Sequence, residues 1–150
     1  MVVEDSGALV AVLGPADLLV TCLVDALRST GFRATRFPCL PAGPELRQAE
    51  PGDPRVLIVD LDRPEAVQAV ACAASAGWTV VAIGGERATA AAAVVAGAEE
   101  WIDRDAGFAD LVEIVRAGVA GALRMSDDRR DEWHALHRRT RARSARRQSA

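Results

Sequence analysis

The chain has 150 residues, 50% hydrophobic and 26% charged, with a formal net charge of −3; that length suits one well-buried domain with an appendage and is short for two. No apolar run reaches the roughly 20 residues of a spanning helix, and the start MVVEDSGALVAVLG carries acids where a secretory signal is basic, so a cytoplasmic chain without membrane contact is expected. Lysine and tyrosine are absent, which excludes chemistry that needs a lysine amine, and the charge is segregated: residues 1–124 hold 10 Arg and 17 acids, residues 125–150 hold 8 Arg and 4 acids.

Ala8 to Leu13 is a short continuous apolar run of the kind found in strands buried on both faces, and it ends at Gly14-Pro15. A helix is predicted from about Asp17 to Ser29, with Leu19, Leu23, Ala26 and Leu27 on its inner stripe and Gly31 as its stop. Phe32 to Phe37 fits a second strand. The following stretch, PCLPAGPELRQAEPGDP, is dense in Pro and Gly and predicts loop, with at most a short helix around Glu45 to Ala49. Arg55 to Asp60 is the clearest strand, four aliphatic residues that finish on a carboxylate.

A helix of small residues follows over Glu65 to Ala76, then a strand over Trp78 to Ile83 that ends at Gly84-Gly85. An alanine-rich helix spans Arg87 to Ala96, Glu100 to Asp103 makes a short strand, and Phe108 to Leu123 carries apolar residues at helical spacing. Strict alternation of this kind predicts a parallel sheet covered by helices on both faces. In such sheets chemistry sits beyond the carboxyl ends of the strands, which here means Gly14-Pro15, Asp60, Gly84-Gly85 and Asp103-Arg104.

Cys22, Cys39 and Cys72 form no paired-ligand motif and are expected as reduced thiols in the core. Residues 125–150 are expected to be a basic tail, helical from Ser126 to about Thr140 and frayed beyond, with Trp133, Leu136, His137 and Thr140 as a packing or dimer seam. His134 and His137 have no third ligand nearby in sequence, so no metal is expected there. No Ser/His/Asp or Cys/His pattern, phosphate-binding loop or GxGxxG after a strand is present, and a non-enzymatic protein is expected.

VLIVDLDRPE, VVAGAEEWIDRDA and the Gly31-Phe32 turn stand in the order and spacing of one known family. Over residues 8–124 the chain resembles the receiver domains of two-component response regulators, of the NarL/LuxR type. The resemblance implies a three-layer αβα sandwich on a five-stranded parallel sheet, flavodoxin-like or CheY-like, with 125–150 as linker and an output domain outside this chain. It puts Asp60 at the phosphoacceptor position and Trp101 at the place of a switch aromatic on the fifth strand. The family's two metal-binding acids, its hydroxyl residue and its lysine correspond to Gly14 and Pro15, Gly84, and Arg104.

With those helpers replaced, Mg²⁺ is expected to bind weakly or not at all unless Asp17 or Asp62 swings in, and phosphorylation of Asp60 is expected to be slow or absent. Three readings of Asp60 stand side by side: a phosphoacceptor, a helix or turn cap, and one half of a permanent charge-assisted pair with Arg104. Asp103 and Asp105 flank Arg104 and are candidates to orient it. Trp101 is expected to be fixed in the packing, and the glycines to permit tight turns more than to open a ligand cleft.

The resemblance implies an atypical receiver that controls a transcriptional output by dimerisation through its last helix and strand, with a histidine kinase as a possible partner. DNA would be reached through the missing output domain or weakly through the arginine run. Two alternatives from other classes remain at this stage: a receiver-like domain regulated by a small molecule at the strand ends, and a stand-alone protein whose basic tail binds nucleic acid.

Overall fold

A computed structural model describes residues 9–40 and 55–149; the short helix expected around Glu45 to Ala49 lies outside the described residues. Five strands, β1 (Leu9–Leu13), β2 (Arg33–Phe37), β3 (Arg55–Asp60), β4 (Thr79–Ile83) and β5 (Glu100–Ile102), form one parallel sheet in the order β2-β1-β3-β4-β5. The helices are α1 (Leu18–Ser29), α2 (Ala66–Ser75), α3 (Arg87–Ala96), α4 (Phe108–Val119) and α5 (Asp127–Ser149). The α/β class, the parallel sheet and the flavodoxin-like strand order are those expected.

Strands β1 and β3 are apolar on both faces because both faces are covered. Val10, Val12, Val56 and Ile58 meet Val20, Val24 and Leu27 of α1 and Leu111 and Val115 of α4. Ala11, Leu13, Leu57 and Val59 meet the small residues of α2 and α3 on the other side. The register aligns Leu13 with Val59 and Asp60 with Ile83. Asp60 therefore ends its strand beside the β4 turn, where the order passes from β1 to β3.

The inner stripe of α1 is Val20, Val24 and Leu27, with Leu18 and Leu19 left 79% and 59% exposed. The expected stripe through Leu19 and Leu23 is thus rotated by one position. LLVTCLVDAL offers apolar residues on nearly every side, so periodicity alone leaves the rotation undetermined. Asp17 sets the start of this helix by accepting the Val20 N–H at 2.8 Å. All three cysteines are exposed rather than in the core: Cys22 lies off the buried stripe of α1 and Cys72 off that of α2, which is Ala66, Val70 and Ala73.

At the C-terminal end the helix is longer than expected, and of the two roles expected for the Trp133 stripe, packing or a dimer seam, the packing is seen. α5 continues past Thr140 to Ser149, and its first half packs into the domain. Met125 and Trp133 are buried in the same core cluster as α2 and α3. Arg129 binds Glu100 through both terminal nitrogens, at 3.1 and 2.8 Å. Arg130 donates to Glu99 at 2.9 Å and to the carbonyls of Val94 and Ala98 at the end of α3. Further along, Thr140 and Arg141 line a groove with Ala88 and Thr89 in the first turn of α3, so α5 runs antiparallel to α3.

Candidate functional site

Arg104 follows β5 and Asp60 ends β3, two strands away, yet the parallel register brings their ends together. One guanidinium nitrogen, Nη2 of Arg104, donates to Asp60 Oδ1 at 2.8 Å and also to Asp62 Oδ2. Asp62 turns back on the same group, its backbone N–H donating to Asp60 Oδ1 at 3.0 Å. The side chains are 47% (Arg104) and 31% (Asp60) exposed, so water screens the pairing and its net worth is about 1 kcal/mol or less. Its importance is positional: the guanidinium stands on the carboxylate at the sheet's open edge.

The vacancy that admits Arg104 is made by Gly84. This residue has φ +72°, a left-handed conformation suited to glycine, and a Cβ there would lie 3.1 Å from Arg104 Nη2 and 3.2 Å from its Nε. A side chain at position 84 and the present position of Arg104 are mutually exclusive without movement. The Gly84 carbonyl accepts the Trp101 indole N–H at 2.8 Å, and its N–H donates to the Ile102 carbonyl at 3.0 Å. Trp101 meets Trp133 of α5 edge to face at 5.5 Å, and Arg87 lies over the Trp133 ring at 5.2 Å. Asp60, Arg104, Gly84, Trp101 and Trp133 thus form one contiguous chain of contacts from the sheet edge to α5.

Asp103 and Asp105 take no part in holding Arg104; Asp103 Oδ1 accepts the Asp105 N–H at 3.1 Å in a local turn. Asp62, which the sequence suggested only as a metal ligand in reserve, supplies the second carboxylate instead.

The corner near Gly14 and Pro15 does not suit a divalent cation. A Cβ at Gly14 would lie 2.8 Å from Val20 Cγ2, so the position is closed to a carboxylate as packed. Arg36 donates to the Gly14 carbonyl at 3.0 Å. Arg63 brings the buried nitrogen Nη1, which has no acceptor among the described residues, to 3.7 Å from where that Cβ would stand. Asp17 is occupied as the cap of α1 and Asp62 by Arg104. Mg²⁺ needs several oxygen ligands in near-octahedral array; this corner offers one carboxylate, already paired, among three arginines. The residues present do not fit the metal, and no step is routed through it. Arg36 and Arg63 carried no signal in sequence, because β2 and the turn after β3 converge on Gly14 only in the fold.

The same edge holds a cavity of about 210 Å³ between α1 and α4, with Asp60, Asp103 and Arg104 in its wall and otherwise almost entirely apolar sides. Among the described residues no helix is long and apolar enough to cross a membrane, and no group of three or more His, Cys, Asp or Glu side chains is placed to hold a metal.

No family model and no curated relative matches the chain. Solved structures do. A LuxR-family two-component response regulator from Aurantimonas sp. SI85-9A1 superposes with TM-score 0.61 at 21% identity, covering 89% of this chain and 99% of that one. A CheY-like response regulator receiver domain protein from Methanospirillum hungatei JF-1 gives 0.64 at 13%, covering 78% and 97%. A structure described as adenylate cyclase from Rhodopirellula baltica gives 0.59 at 21%, covering 77% and 89%. The chain has the receiver-domain fold of response regulators. A fold is compatible with several activities, and what this edge does rests on its own residues.

Proposed function

We propose that this chain is an atypical receiver module in signal transduction, cytoplasmic and non-enzymatic, whose Asp60 is engaged by Arg104 in place of a metal-assisted phosphoryl group. The observation that carries this reading is the Arg104 nitrogen seated on both Asp60 and Asp62 in space that Gly84 leaves free. A guanidinium offers fixed donors and a permanent charge, and it holds the edge without reagent or cation. The contacts through Gly84 and Trp101 supply a physical route to α5. Its output on this reading is transcriptional, through a partner module and a homodimer in which the α5 and β5 side takes part. The apolar stripe of α4 contributes little to such a contact, since Leu111 and Val115 are packed on the sheet.

The test is a two-dimensional amide NMR titration with Mg²⁺ and then beryllofluoride, a mimic of the aspartyl phosphate. The expected result is no saturable shift at Asp60, Gly84 or Arg104, and no mass increase after incubation with acetyl phosphate. Saturable shifts that spread to Trp101 would show a working phosphorylation switch and refute the proposal.

A further inference from the structure

The cavity between α1 and α4 has a composition that the Asp60–Arg104 pairing does not account for. Val12 and Ile58 supply part of its floor, Leu23 and Leu111 its flanking sides, and Leu19 and Phe108 its rim. The two rim residues are 59% and 41% exposed, large apolar groups held open to water beside a pocket they would help to close. Scattered exposed leucines need no explanation, but apolar side chains converging on one concave site with a few polar groups are the usual form of a small-molecule site.

The polar wall selects the ligand's charge. Asp60 Oδ1 takes both protein donors, from Arg104 and from the Asp62 N–H, while Oδ2 receives none among the described residues. Arg104 is already committed to two carboxylates, and Asp103 adds a second acid to the wall. Only Nη2 of Arg104 is so engaged, but Asp60, Asp62 and Asp103 outnumber this one guanidinium, so an anionic ligand meets a net negative wall. A protonated amine meets an unoccupied carboxylate oxygen and forms a charge-assisted hydrogen bond.

We infer that this cavity is a binding site for a small amphipathic amine, its apolar group between α1 and α4 and its ammonium donating to Asp60 Oδ2. An engineered apolar cavity of about 150 Å³ accepts benzene, so the 210 Å³ here suits a single ring with a short side chain. The inference does not depend on the signalling role proposed above, because it concerns occupancy of the cavity and not its output.

The test uses the full chain and two probes of similar size, 2-phenylethylamine and 3-phenylpropanoate, followed by amide NMR. The amine is expected to give saturable shifts confined to the cavity lining, at roughly millimolar affinity or better, and to bind at least about tenfold more tightly than the carboxylate. Leu19→Trp, a change at an exposed rim position that leaves the core intact, is expected to fill the mouth and abolish the shifts. Asp60→Asn is expected to keep binding but remove the preference for the amine. The proposal fails if neither probe saturates, if both bind alike to the parent chain, or if Leu19→Trp binds as the parent does. Lining shifts that appear with protein concentration alone would assign the cavity to a second copy and overturn it equally.

Discussion

Trp133→Ala is the perturbation that most directly separates a docked α5 from a solvated tail. Trp133 is 8% exposed, its ring centroid 5.5 Å from that of Trp101 in a T-shaped pair and 5.2 Å from the Arg87 guanidinium carbon. Truncating a buried tryptophan to alanine costs about 3–5 kcal/mol, a range that already contains the aromatic and cation–π contacts. Arg129 and Arg130 tie down the first turn, but Trp133 is the one buried side chain of α5 among the described residues. After Glu132 the helix has no acid, and Arg139, Arg143 and Arg147 stand four apart as like charges, so the free segment is a poor helix in water. The loss should therefore appear as local opening of α5. Taking about 3 kcal/mol, the opened population rises on the order of a hundredfold. Hydrogen exchange read by mass spectrometry on peptides from α5 and from β3 measures this directly. Faster exchange in α5 with β3 little changed is expected; α5 protection within about threefold of the parent would refute the docking argument.

Gly84→Ala should destabilise the domain by about 1–2 kcal/mol, because its φ of +72° opposes an L side chain, and should shift the Arg104 Nε–H resonance as the new methyl meets the guanidinium; a neutral effect on denaturant midpoint with Arg104 unmoved would contradict the assignment of that space. Leu57→Ala, at a position with no exposure, should cost about 2–5 kcal/mol in chemical denaturation, and less than about 1 would mean the site collapses to fill the void. Glu100→Gln should cost about 1 kcal/mol or less and lose most of that difference at molar salt, since Arg129 is 46% exposed. The hydrogen bonds that Arg129 donates to Glu100 raise the Arg129 pKa, opposed in part by burial. While the carboxylate is ionised, the pair's stabilisation is therefore fully present below the arginine's ordinary value and is lost as pH climbs through the raised one. Its contribution should be flat from about pH 6 to 9, and a slope there that vanishes with Glu100→Gln would show the sign to be wrong.

The sheet was legible because VLIVD and WTVVAI are continuous apolar runs bounded by turn residues, a pattern that only doubly covered parallel strands require. The rotation of α1 was not, since its apolar residues surround the axis and only packing on the sheet selects Val20, Val24 and Leu27. The meeting of Asp60 and Arg104 was open to conjecture from two strand ends at one sheet edge. The roles of Asp62, Arg36 and Arg63 depend on where turns from different strands converge, which no local pattern encodes. The length of α5 misled for a different reason: the arginine-rich stretch past Thr140 suggested fraying, yet the helix runs to Ser149, while Trp133 packs as one of the expected alternatives.

The direction of α5 also determines where anything joined to it is displayed. α4 descends from the edge that carries Asp60 to the opposite one, and α5 climbs back along α3, from Val94 and Ala98 towards Ala88 and Thr89. Its 23 residues span about 34 Å, enough to return the backbone across the whole domain. A fluorophore or fusion attached beyond Ser149 would emerge on the Asp60 side and compete for room with whatever approaches that edge. A label at Arg33, the exposed first residue of β2, would stand at the opposite edge, and the two positions together give a ready distance ruler for the undocking of α5.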